Sequence, residues 1–112
     1  VRFDAEIALP AVTIAELAFG IRKIQPDQRA VLLTQGLDEW RSRFADRIFP
    51  LTEAAALHYG EIMGDAVRQG HPMSAQDGMI AAIVRVNHGK LATRNIKDFQ
   101  HVTDIKLVNP WD

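Results

Sequence analysis

Glu16, Asp77 and Asp98 lie far apart in the 112 residues, yet their surroundings are alike. Glu16 follows the short apolar stretch Ala8–Val12, Asp77 opens a helix after His71-Pro72, and Asp98 comes just after Leu91-Ala92-Thr93. Carboxylates brought to one place repel one another unless a cation neutralises them. A hard divalent ion such as Mg²⁺ suits oxygen donors, keeps several of its own waters and needs only one or two direct carboxylates. Such an ion lowers the pKa of a bound water and stabilises a leaving oxygen, which points to hydrolysis of a phosphodiester. A plainer role competes. Thr13-x-x-Glu16 and Ser74-x-x-Asp77 both have capping-box spacing, and acids in a first helical turn are favoured by the helix dipole. Taken singly, Glu16 and Asp77 fit helix starts better than metal sites, and Asp98 beside Lys97 fits a solvated turn.

The elements that would position these acids decide between the two readings. Ala8–Val12 reads as a strand turning into a helix at Thr13, with Ile14, Leu17, Ala18 and Ile21 at helical spacing. Pro26-Asp27 ends that pattern, and Leu33, Leu37, Trp40 and Phe44 predict a second amphipathic helix. Ile48–Leu51 is short and β-prone. Thr52 then caps a helix carrying Ala55, Tyr59, Ile62 and Ala66, which stops at Gly70. Ser74 caps the next, with Met79, Ile80, Ile83 and Val84, ending near Asn87-His88-Gly89. Lys90–Thr93 predicts a strand, Asn95–Phe99 a short turn or single helical turn, and Ile105–Val108 a last strand at an edge. Strands alternating with helices, without a hairpin signal, predict an α/β fold: a parallel sheet sandwiched by helices in one domain. Right-handed crossovers put every strand's carboxyl end on one edge, where ligands bind. All three acids fall on that edge.

Three segments then carry a family resemblance. Ala11-Val12-Thr13-Ile14-Ala15-Glu16-Leu17 with Gly20-Ile21, Gln76-Asp77-Gly78-Met79-Ile80-Ala81-Ala82, and Leu91–Phe99 with the ending Val108-Asn109-Pro110-Trp111 resemble, in order, the acidic motifs of PIN-domain ribonuclease toxins of the VapC/FitB type. The resemblance covers most of the chain. It implies a PIN-like three-layer α/β/α sandwich over residues 1–112 and a metal-dependent endonuclease that hydrolyses RNA with metal-activated water. By the same resemblance Glu16, Asp77 and Asp98 hold Mg²⁺ or Mn²⁺, with Thr93 and Asn95 as polar neighbours and a small residue usual after the second of these acids. Some relatives have an acid where Asn95 stands. Partners implied are RNA, a small antitoxin and a second copy of the chain, in the cytoplasm.

One part of the family pattern is not found. Its first acid follows an initial apolar strand in a pattern like Asp-Thr-Asn, which this sequence lacks, and Asp4 has no apolar strand before it. Because that strand is central, the domain is expected to be N-terminally incomplete, to be unstable alone, and to leave the edges of two strands unpaired. The missing N-terminal segment is expected either in the native chain or as a separate chain. A non-catalytic PIN-like module that holds an antitoxin or RNA is the alternative this gap favours.

Other residues carry weaker signals. His58, His71, His88 and His101 have no close ligand spacing, and only His71 and His101 are placed to approach the cleft. Arg94 and Lys97, beside the acidic edge, are the better phosphate contacts among Arg22, Lys23, Arg85, Lys90, Arg94 and Lys97, and scattered cations are commonly solvated faces. Phe19, Trp40, Phe44, Phe49 and Tyr59 suit a core or an interface better than base stacking. The Leu33–Phe44 helix offers an apolar dimer or antitoxin surface, with core burial equally open. With 13 Lys+Arg against 14 Asp+Glu, net charge −1, nucleic acid must be met by a local basic face. Without cysteine there is neither a disulfide nor a thiolate metal site, and no apolar run nears the roughly 20 residues of a membrane helix. A phosphate-loop or phosphatase reading fails for want of a Gly-rich loop or an Asp-x-Asp pair.

Overall fold

The computed structural model describes residues 6–110, so Asp4 and Trp111 lie outside the described residues. The chain runs β1 (Leu9–Pro10), α1 (Ala11–Ile24), α2 (Arg29–Arg43), β2 (Ile48–Phe49), α3 (Glu53–Gln69), α4 (Ala75–Val86), β3 (Lys90–Ala92), α5 (Ile96–Phe99) and β4 (Lys106–Val108), with a 3-10 turn at Ala45–Arg47. The alternation read from the sequence holds. Thr52 and Ser74 cap α3 and α4, their side chains accepting from the N–H groups of Ala55 and Asp77. Gly70, at φ 72°, ends α3 in the left-handed conformation that glycine adopts at least cost.

Both ladders are parallel. β1 pairs with β2, Leu9 opposite Ile48, and β3 pairs with β4, Leu91 opposite Leu107. A parallel bridge between Ile7 and Lys90 joins them. There Lys90 N–H donates to Glu6 O at 2.8 Å and Ala8 N–H to Lys90 O at 3.0 Å. Gly89 permits this approach, since a Cβ at that position would stand 2.8 Å from the Cβ of Ala8. The expectation that two strands would keep unpaired facing edges is therefore corrected at Ile7, Ala8 and Lys90. Buried backbone groups need partners, and here these residues supply them to one another.

Side-chain alternation along the strands makes the layers. Ile7, Leu9, Ile48, Ala92 and Val108 face one side, packing with Ile14, Trp40 and Phe44. Ala8, Phe49, Leu91 and Leu107 face the other, against Ile62, Tyr59 and the fully apolar run of α4, Ile80 to Val84. The result is two two-stranded parallel ladders, joined at the Ile7–Lys90 bridge, with α1 and α2 on one face and α3, α4 and α5 on the other.

Two boundaries differ from the expectation. The first strand ends at Pro10, which is itself the N-cap of α1 with φ −67° and no side-chain cap bond. Thr13 is thus inside the helix, because the fixed φ of proline already sets up a helical start. In the second helix Phe44 and Trp40 turn to the core, their rings 5.8 Å apart, whereas Leu33 is half exposed.

Candidate active site

The first turn of α4 carries Asp77. Ser74 ends the loop before it in an extended conformation, and its Oγ accepts the Asp77 N–H at 3.1 Å, which holds the turn at its start. Burial pushes the Asp77 carboxyl above the ordinary aspartate value, and the charge of Asp98 pushes it further. A side-chain hydrogen bond from Ser74 to the carboxyl works the other way and is the smallest of the three effects. The charge of Asp98 therefore reaches Asp77 across 21 positions of sequence. The intervening chain explains how: β3 leaves α4 behind, and α5, which bears Asp98, returns to pack on α4 through the buried Phe99.

The turn that leads into α5 is built by polar residues. Thr93 N–H donates to Val108 O at 3.0 Å, tying it to β4, and its Oγ1 accepts the N–H of Asn95 at 3.0 Å. The Asn95 carbonyl accepts from Asp98 N–H at 3.0 Å. Thr93 and Asn95 thus shape the segment beyond the carboxyl end of β3 that presents Asp98. Arg94 and Lys97 are exposed on the same segment.

Glu16 is exposed on the second turn of α1, one turn beyond Val12, which packs against the cluster that includes Ile80 of α4. Since Thr13 is not a cap, the capping-box role considered for Glu16 does not apply. The expected pocket of three converging acids is narrower than the sequence suggested. Among the described residues, no three His, Cys, Asp or Glu side chains are gathered closely enough to hold a metal ion by themselves. What the fold does bring together is Asp98 with Asp77, whose carboxyl feels its charge, and a hydrated hard cation requires only one or two carboxylates and takes the rest of its shell from water.

Arg85 must be removed from the phosphate-binding candidates. Its side chain is only 6% exposed, its Nε donates to His58 Nδ1 at 2.9 Å, and it faces Glu61 at 3.4 Å and the Thr103 carbonyl at 3.4 Å. His58 is its acceptor between α3 and α4. The signal for this was present: Arg85 falls within the apolar run of α4, where a cation is buried only if partnered. His71 and His101 stack with ring centroids 5.2 Å apart, joining the loop before α4 to the loop after α5.

A parallel sheet covered by helices on both faces, with an acidic pair beyond the carboxyl end of a strand, places the molecule among α/β/α sandwich domains with an acidic edge site. The comparisons make that class specific. Residues 2–105 match the PIN domain, and the chain belongs to the PIN domain family. It is 32% identical over 107 residues to Toxin FitB of Neisseria gonorrhoeae, covering 95% of this chain and 76% of that protein. To the tRNA(fMet)-specific endonuclease VapC of Shigella flexneri it is 31% identical over 105 residues, covering 92% and 74%. The crystal structure of VapBC2 from Rickettsia felis, bound to a DNA fragment from their promoter, superposes with a TM-score of 0.76 at 26% identity, covering 94% of this chain and 74% of that one.

Proposed function

We propose that this chain is the ribonuclease toxin of a type II toxin–antitoxin pair, an endonuclease that hydrolyses RNA phosphodiester bonds with a divalent cation. The observation that carries this reading is Asp77, whose carboxyl is pushed above its ordinary value by burial and by the charge of Asp98, in a chain of the PIN family. Relatives named as ribonuclease and tRNA-specific endonuclease support RNA as the substrate. Relatives crystallised as FitAB and VapBC complexes support an antitoxin partner.

Asp77 and Asp98 would hold Mg²⁺ or Mn²⁺ directly, and Glu16 would join through water. When bound, the cation supplies the charge that acidifies a water and stabilises the departing oxygen. Arg94 and Lys97 would contact phosphates of the RNA on either side of the cut, and the Thr93–Asn95 turn keeps Asp98 at the edge. On this reading a further acid comes from a segment outside the 112 residues, in cis or on a separate chain. The protein acts in the cytoplasm as a homodimer held by its antitoxin. Asp77→Asn, or a chelator added to the wild type, abolishes RNA cleavage. Cleavage that survives both would overturn the mechanism.

A second reading has its own support. A PIN-like module that binds antitoxin or RNA without cutting it agrees with the lack of a three-acid group among the described residues. Calorimetric titration with Mn²⁺ separates the two, since a non-catalytic module needs no cation.

A further inference from the structure

We propose that Gly78 is a positioning residue: its missing side chain lets the first turn of α4 seat on Tyr59 and Met63 of α3, and this seat sets where Asp77 stands relative to Asp98. The catalytic part of the proposal rests on the nuclease reading, but the placement itself does not.

Gly78 is buried and directly follows Asp77. A Cβ built on it would lie 2.5 Å from Met63 Sδ, 3.1 Å from Met63 Cγ and 3.0 Å from Tyr59 Cε2. Tyr59 and Met63 are one turn apart on α3, so together they form a shelf beneath a single turn of α4. The Met63 thioether can swing aside, but the Tyr59 ring is packed against the core and has less freedom. A Cβ at position 78 therefore has to displace Met63 and press on the Tyr59 ring, and where that ring does not give, the first turn of α4 rises instead. Asp77 lies on that turn, and its N–H bond to Ser74 Oγ is the turn's only side-chain cap. Asp98 stands on α5, which packs on α4 further along through Phe99, so lifting one end of α4 changes the spacing of the two acids.

Helix propensity argues the opposite way, which makes the proposal sharp. Alanine is preferred to glycine inside a helix, so Gly78→Ala judged by local structure alone would stabilise the protein. Gly64, on α3, is an internal control: a Cβ there would meet nothing within 4 Å.

The experiment compares the wild type with Gly78→Ala, Gly64→Ala, Met63→Ala and the Gly78→Ala/Met63→Ala pair. It reads hydrogen exchange of the Asp77 amide together with kcat and KM for Mg²⁺-dependent RNA cleavage. Gly78→Ala is expected to speed exchange at Asp77 and lower kcat about 10- to 100-fold, the scale of an ångström-sized misplacement, with KM unchanged. Removing the Met63 side chain in the double variant relieves the 2.5 Å overlap and restores part of both, the Tyr59 contact remaining, and Gly64→Ala changes neither. Gly78→Ala with wild-type exchange and wild-type kcat overturns the proposal, as does a double variant no better than the single one. Should the wild type not cleave RNA, the nuclease reading falls, and the exchange measurements still decide the role of Gly78.

Discussion

At the scale of single residues, Asp77 carries the chemistry. Its folded-state pKa lies above the ordinary value of 3.8, because burial and the charge of Asp98 both oppose ionisation. The sign follows. Without a cation, the stability associated with this group is present below 3.8 and is lost as pH rises through the raised value. Asp77→Asn is thus expected to raise the melting temperature of cation-free protein at neutral pH, and a lowered one would contradict the burial argument. Cation affinity should behave oppositely, growing as pH rises through the same value, because the cation needs the carboxylate. Asp98→Asn should move the pH midpoint of cation binding downward by removing the repulsive neighbour, which calorimetry at a series of pH values checks. For cleavage, loss of either acid should cost about 100-fold or more, since even groups that only support a metal ligand cost 10- to 100-fold.

At the scale of elements, the caps and the α3–α4 pair hold the site in place. Ser74→Ala removes the acceptor of the Asp77 N–H and should destabilise the fold by about 1 kcal/mol, measured by urea unfolding. It should also raise the Asp77 midpoint further, because the bond with Ser74 favours the ionised form. Arg85 ties α3 to α4 and to the Thr103 loop from a buried position. Arg85→Leu leaves His58 Nδ1 and the Thr103 carbonyl without this donor and should cost about 2 kcal/mol. A neutral outcome would mean that water replaces the guanidinium.

At the scale of the whole molecule, α1 and α2 are less buried than α4. No residue of α1 is buried and Ala30 is the single buried residue of α2, while Phe19, Val31, Leu32 and Leu33 are exposed by 68%, 60%, 70% and 51%. On the proposed function, these exposed side chains are the ones an antitoxin or a second copy would cover. Along the second helix Trp40 and Phe44 turn to the core and Leu32 and Leu33 turn outward. Leu32→Glu is expected to weaken association with the antitoxin or a second copy while shifting stability by no more than about 0.5 kcal/mol. Sedimentation in which the assembled mass is unchanged would exclude this face.

The helices, their caps at Thr52 and Ser74, the stop at Gly70 and the parallel α/β class were all legible in the sequence, because each rests on local rules: hydrophobic period, capping chemistry and the backbone freedom of glycine. Local rules also brought out Asp77 and Asp98 as candidates. They could not tell that the charge of Asp98 reaches Asp77, that Arg85 faces inward to His58, or that Ile7 and Ala8 pair with Lys90. Those facts depend on distances between residues remote in the chain, and such distances are set by how whole layers pack, not by the pattern along any one of them.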